Sequence, residues 1–130
     1  MIVLDTHVLI WLIGSPERIS KTATVAIQET RLRAEMPAVS CQSFYEIARS
    51  IVRGRVKINS PLAAIVESIE MRFHVIPLSA QIGRLAAELS SSFPGDPFDR
   101  IIAASAIAHG ASLVTADKNI RRSKEVKTIW

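Results

Sequence analysis

Ile2-Val3-Leu4-Asp5-Thr6-His7-Val8-Leu9-Ile10-Trp11 joins a short apolar run, broken off by a carboxylate, to a second apolar stretch of helical character from Val8 to Ile13. A strand that ends on an acid and gives way at once to a helix suits a parallel α/β fold, because strand ends and helix starts there share one edge. The pattern repeats along the chain. Apolar runs at Met1–Leu4, Met36–Val39, Val75–Leu78, Ser112–Thr115 and Val126–Ile129 predict five buried strands. Helical spacing marks Thr22–Ala34, Phe44–Arg53, Leu62–Met71, Ile82–Leu89 and Phe98–His109 between them. This alternation predicts a parallel sheet covered by helices.

Local punctuation sets the boundaries. Ser60-Pro61 and Asp96-Pro97 each pair a capping residue with a proline suited to the first helical position, and Ser79 is placed to cap the helix after it. His109-Gly110 reads as a helix end, and Gly54 as another. Ser90-Ser91-Ser92-Phe93-Pro94-Gly95 reads as a loop running into Asp96. No repeat or linker interrupts the chain. Its 130 residues suit a single domain, 1–130, in which roughly 65 to 70% of the unfolded surface is buried.

Apolar residues are 48% of the chain and charged ones 22%, a composition that excludes disorder and leaves apolar surface for self-association. Sixteen Lys and Arg against twelve Asp and Glu give a net charge of +4 and a pI near 9.7, a lean toward polyanions. The cations cluster at Arg49, Arg53, Arg55 and Lys57, and again at Lys118, Arg121, Arg122 and Lys124. Cys41 is the only cysteine, which excludes an intrachain disulfide and a thiolate zinc site. No basic signal-peptide region precedes the N-terminal apolar stretch, and Val8–Ile13 is too short to span a bilayer. The expectation is a cytoplasmic protein without membrane association.

The chain has four aspartates, Asp5, Asp96, Asp99 and Asp117, each where an apolar run meets a helix start. If the strands involved are neighbours, these carboxylates meet in one crevice, where a divalent cation relieves their repulsion. Each acid also has a plainer reading. Asp5 and Asp117 can cap the helices that follow them. Asp96 is the natural cap ahead of Pro97, leaving Asp99 in the first turn as a ligand or as a reciprocal capping group. Glu46 depends on register: Ser43-Phe44-Tyr45-Glu46 spells a capping box, whereas a helix starting just after Ser40 puts Glu46 in the second turn, free to face the edge that holds Asp5. Phe44, Ile47, Ala48 and Ile51 are then the buried stripe, with Arg49 and Arg53 on the other side. Arg100 is read as solvated, locally paired or reaching a phosphate. His7, His74 and His109 lack metal-binding spacing and read as packing, edge or capping residues.

No Gly-rich dinucleotide fingerprint, phosphate loop or nucleophile elbow is present. Carboxylates without a cysteine or histidine cluster favour a hard cation, Mg²⁺ or Mn²⁺, over zinc.

Taken in order over nearly the whole length, LDTHVLIW, SFYEIARS, DPFDRIIAASAIAHG and LVTADKNI resemble a PIN-domain ribonuclease of the VapC toxin kind. The resemblance implies a PIN-like, Rossmann-like three-layer α/β/α sandwich that cleaves RNA with Mg²⁺ or Mn²⁺, as a homodimer held by a cognate antitoxin. It sets Asp5, Glu46, Asp99 and Asp117 at the family's four acidic positions, as metal-binding and catalytic residues, with Thr6, Thr115 and the extra acid Asp96 in support. Arg49, Arg53, Arg100 and Lys118 are the expected contacts to the RNA backbone.

Three rival readings are weaker or differ in kind. A haloacid-dehalogenase phosphatase wants an aspartate two places after the first, where this chain has His7, and a phosphoacceptor receiver wants one at the end of its third strand, where Leu78-Ser79-Ala80 stands. The third is a catalytically silent PIN-like module that only binds RNA or a protein.

Overall fold

The computed structural model describes all 130 residues, Met1–Trp130. Five strands, β1 (Ile2–Leu4), β2 (Ala38–Ser40), β3 (His74–Ile76), β4 (Ser112–Val114) and β5 (Thr128–Ile129), form one sheet in the order β3-β2-β1-β4-β5, with every pair parallel. The helices are α1 (Thr6–Gly14), α2 (Lys21–Leu32), α3 (Cys41–Val52), α4 (Leu62–Arg72), α5 (Ala80–Glu88), α6 (Pro97–Ala108) and α7 (Lys118–Ser123), with a single 3-10 turn at Pro16–Arg18. None is long and apolar enough to cross a membrane.

Strand side chains alternate between two cores, as a two-residue period requires. Val3, Ala38, Ile76 and Leu113 pack on one face against Ile82 of α5, Ile102 and Ala106 of α6 and Ile120 of α7. Ile2, Leu4, Val39 and Val114 pack on the other against Val8, Leu9, Ile27, Ile47, Ile65 and Ile69 from α1 to α4. The result is the expected three-layer α/β/α sandwich. Burial on both faces explains why the strands read as unbroken apolar runs.

Several boundaries move. β3 stops at Ile76 because Pro77 has no N–H for the ladder, and Leu78 is left exposed. α3 starts at Cys41, with the Ser40 hydroxyl accepting from the Gln42 N–H, so the Ser43 capping box is not formed. Ser60 does not cap α4: Pro61 occupies the cap position itself, and its carbonyl accepts the Ala64 and Ile65 N–H groups. Ser79 and Asp96 cap α5 and α6 as predicted, and Gly54 and Gly110, at φ 70° and 60°, follow α3 and α6 in the left-handed region.

This topology fixes where the acids go. The chain leaves β1 for β2 on one side and returns later to β4 on the other, which makes the carboxyl end of β1 a switch point with a crevice above it. Leu4 is level with Val39 and Val114, so Asp5, Ser40 and Thr115 are each the next residue at that edge.

Candidate active site

Asp5 sits at the cap position of α1 but makes no side-chain cap bond. Its N–H continues the sheet by donating to the Val114 carbonyl at 3.0 Å, and its carboxylate turns across the edge toward β4. There Oδ2 accepts the Thr115 hydroxyl at 2.7 Å, with His7 Nδ1 3.4 Å away. The side chain is almost wholly buried. Thr115 also accepts the Asp117 N–H at 3.1 Å, so one hydroxyl joins the positions of two acids.

His7, read from the sequence as a packing, edge or capping residue, lies at the edge and touches Asp5. The Ala116 N–H donates to Nε2 at 3.2 Å, which leaves Nδ1 facing Asp5. The available signal was position: His7 lies in the first turn of α1, two residues past Asp5, on the same edge.

Glu46 occupies the second turn of α3, and its Oε1 accepts the Thr6 hydroxyl at 2.6 Å; Thr6 Oγ1 is also 2.9 Å from Ser43 Oγ. Thr6 therefore links the first turn of α1 to Glu46. Asp96 Oδ1 accepts the N–H groups of Phe98 at 2.8 Å and Asp99 at 3.3 Å, which holds the start of α6 and leaves the half-buried Asp99 carboxylate outside the cap. Asp117 does act as a cap: its Oδ1 accepts from Asn119 N–H at 2.7 Å and Ile120 N–H at 3.0 Å.

The acids share one electrostatic field. Burial pushes Asp99 up to about 7, reinforced by the negative charges of Asp5, Asp96, Glu46 and Asp117. Asp5 is raised by burial against the lowering pull of His7 and the Thr115 hydroxyl, with Asp117 pushing it up. Burial also raises Glu46, opposed by the Thr6 hydrogen bond and assisted by Asp5 and Asp96. As placed, no three His, Cys, Asp or Glu side chains form a set that can hold a metal ion. The acids are neighbours through their charges rather than a closed coordination shell, as expected of like charges with nothing between them.

The PIN domain family model matches residues 2–126. The chain belongs to the PIN-domain family. This PIN domain is 33% identical over 131 residues to Ribonuclease VapC22 of Mycobacterium tuberculosis (strain ATCC 25618 / H37Rv), covering 99% of this chain and 98% of that protein. Its fold matches a chain of the Rickettsia felis VapBC2 structure bound to a promoter DNA fragment (TM-score 0.74, 19% identity, covering 98% of this chain and 97% of that chain). It likewise matches a chain of DNA-bound VapBC from Salmonella typhimurium (TM-score 0.71, 20% identity, covering 98% and 95%).

The basic residues of this PIN domain distribute differently from expectation. Arg49 lies near enough to Glu46 to pull its carboxyl down. Arg53 is the C-cap of α3, about 10 Å along the helix from Glu46 at 1.5 Å per residue. Arg100 is turned away from solvent: its guanidinium donates to the carbonyls of Ala86, Leu89, Ser90 and Pro94 and lies over Phe93. Those bonds occupy it, so the expected role of Arg100 as an RNA contact is withdrawn. Lys118 is exposed at the start of α7, beside Asp117.

Proposed function

We propose that this PIN domain is the ribonuclease toxin of a toxin–antitoxin pair, hydrolysing RNA phosphodiester bonds with Mg²⁺ or Mn²⁺ held by Asp5 and Asp99 and assisted by Glu46 and Asp117. The observation that carries this reading is the convergence of carboxylates from the ends of β1 and β4 and from α3 and α6 on one edge, where their charges add to burial in raising Asp99 to about 7. The donors fit a hard divalent cation by kind, since all are carboxylate oxygens, and the repulsion among them is what such a cation relieves. When bound, the cation supplies activation of water and neutralisation of charge on the scissile phosphate.

The chain's own residues supply the rest. Thr115 and His7 hold Asp5 in one orientation, and Thr6 holds Glu46. Glu46, whose pKa burial raises, has one carboxylate oxygen outside its Thr6 bond and would accept a proton there. Asp117 keeps Oδ2 clear of its cap bonds, which both use Oδ1. Purified Asp5→Asn protein is expected to lose RNA cleavage in Mn²⁺ or Mg²⁺, and EDTA to abolish cleavage by the wild type reversibly. Wild-type rates in Asp5→Asn, or indifference to EDTA, reject the metal-dependent mechanism; RNA retention without cleavage in any divalent metal identifies a silent binding module instead.

The partner is a cognate antitoxin. A groove of about 330 Å³ between α1, α2 and α4, lined by Leu12, Ile13, Ile58, Ile65, Ile69 and Phe73 and rimmed by Arg31 and Arg72, offers it an apolar seat with basic edges. A homodimer is the expected toxin state, which light scattering of the purified protein tests directly.

A further inference from the structure

The acid cluster leaves one strongly basic element unexplained. Lys118, Arg121 and Arg122 lie on the six-residue α7 and Lys124 caps it, yet none of the four forms an ion pair with an acid of the protein. The nearby acid Glu125 is occupied: its carboxylate accepts both the N–H and the hydroxyl of Ser90, which lowers its pKa. Those bonds clamp the Ser90–Gly95 loop against the end of α7, and Arg100 fastens the same loop from beneath through the carbonyls of Ser90 and Pro94. Between loop and helix lies an open concavity of about 470 Å³ lined by Ser92, Pro94, Asn119, Arg122 and Ser123, with no hydrophobic side chain and no carboxylate. Its walls are the two segments that deliver acids to the site: the loop runs into Asp96 and Asp99, and α7 starts directly after Asp117.

We propose that this concavity is a substrate subsite that binds a backbone phosphate of single-stranded RNA, with Arg122 as its cationic anchor and Asn119 and Ser92 as neutral hydrogen-bond donors. The inference rests on the ribonuclease reading and adds to it a side from which the strand is held. A phosphate is the ligand that fits: a guanidinium without an acidic partner matches it in a forked geometry, and amide and hydroxyl donors complete it without competing negative charge. The loop's fastening to Glu125 and Arg100 makes the pocket preformed, so little ordering cost is added on binding. Alongside the acids, it provides the opposite sign of charge that keeps a polyanion at a site which otherwise repels it.

The test is binding of a short fluorescein-labelled single-stranded RNA of mixed sequence to the full chain in EDTA, by anisotropy across a salt series, beside cleavage kinetics in Mn²⁺. Arg122→Gln is expected to weaken binding roughly threefold to tenfold at low salt and to reduce the slope of log affinity against log salt by about 0.7, the share of one phosphate contact on a single strand. It raises KM with kcat little changed, because the contact is made equally in ground and transition states. Asn119→Ala and Ser92→Ala weaken binding without altering the salt slope, and Arg33→Gln, at the far end of α2 beside Glu35, alters neither. Wild-type affinity, slope and KM in Arg122→Gln, with the wild type still cleaving, overturn the subsite alone. Equal losses in Arg33→Gln and Arg122→Gln overturn it in favour of diffuse charge. A wild type that neither binds nor cleaves RNA overturns the subsite together with the ribonuclease reading.

Discussion

Asp5 is fixed by three contacts: its N–H to the Val114 carbonyl of β4, its carboxylate to the Thr115 hydroxyl just past β4, and the same carboxylate to His7 of α1. At this scale the decisive quantity is the cost of leaving a buried carboxylate without donors, about 1–3 kcal/mol for each lost partner and more for a charged group. Thr115→Val is therefore expected to lower stability by that amount in urea unfolding, and it also takes the acceptor from the Asp117 N–H. A change below about 0.5 kcal/mol shows that the bond contributes little. His7→Phe makes a sharper distinction, because it keeps the ring that packs edge-on against Trp11 at 4.9 Å while removing both ring nitrogens. If His7 positions Asp5 for a cation, Mn²⁺ binding measured by calorimetry falls about 10- to 100-fold, the usual effect of removing a group that orients a ligand, on top of a stability loss of the same order as in Thr115→Val. Unchanged Mn²⁺ affinity leaves His7 as one of the packing, edge or capping residues that its sequence context suggested.

Among elements, the caps decide how firmly the acids are presented. Asp96 holds the site's α6 by bonding the N–H groups of Phe98 and Asp99, and its charge also raises Asp99 and Glu46. Asp96→Ala is expected to cost about 1 kcal/mol of stability and to reduce cleavage by loosening the first turn that carries Asp99, while Asp96→Ser, which still caps, recovers most of both. Failure of serine to restore activity at restored stability makes the Asp96 charge itself important. The strand-to-helix junctions and the acids were legible because each carries a local signature: apolar run, carboxylate, helix periodicity. The register of α3 was not, since Ser40 and Ser43 are equally good caps by type. What separates them is pairing of β2 with β1 and β3, which holds Ser40 in the strand and leaves Glu46 to meet Thr6. Arg100 was illegible for a related reason. Its partners are backbone carbonyls of Ala86 through Pro94, groups every residue has, brought near only by the packing of α5 against α6.

Over the whole molecule, the site works against the fold that supports it. Asp5, Glu46 and Asp99 all have folded-state pKa values raised above the 3.8 and 4.5 of free carboxylates, and Asp99 reaches about 7. Between about pH 4 and about pH 7 the folded chain therefore binds more protons than the unfolded one at these groups. Their contribution to stability is present in full below the unfolded values and is lost as pH rises through the folded ones. Near neutrality and above, the metal-free protein carries unrelieved repulsion that a divalent cation removes. On the proposed mechanism the proton and the cation would compete for the same oxygens, so the rise in melting temperature produced by Mn²⁺ should be small near pH 5 and grow as pH rises through about 7, where Asp99 titrates. Asp99→Asn removes one of the raised groups; without metal it should be more stable than wild type at about pH 8, with a smaller Mn²⁺ increment. Scanning fluorimetry of both proteins across that range, with and without Mn²⁺, tests the argument in one experiment. A Mn²⁺ increment of the same size at pH 5 and pH 8 shows that the cation binds away from these carboxylates. An Asp99→Asn increment equal to that of wild type removes Asp99 from the residues that hold the cation.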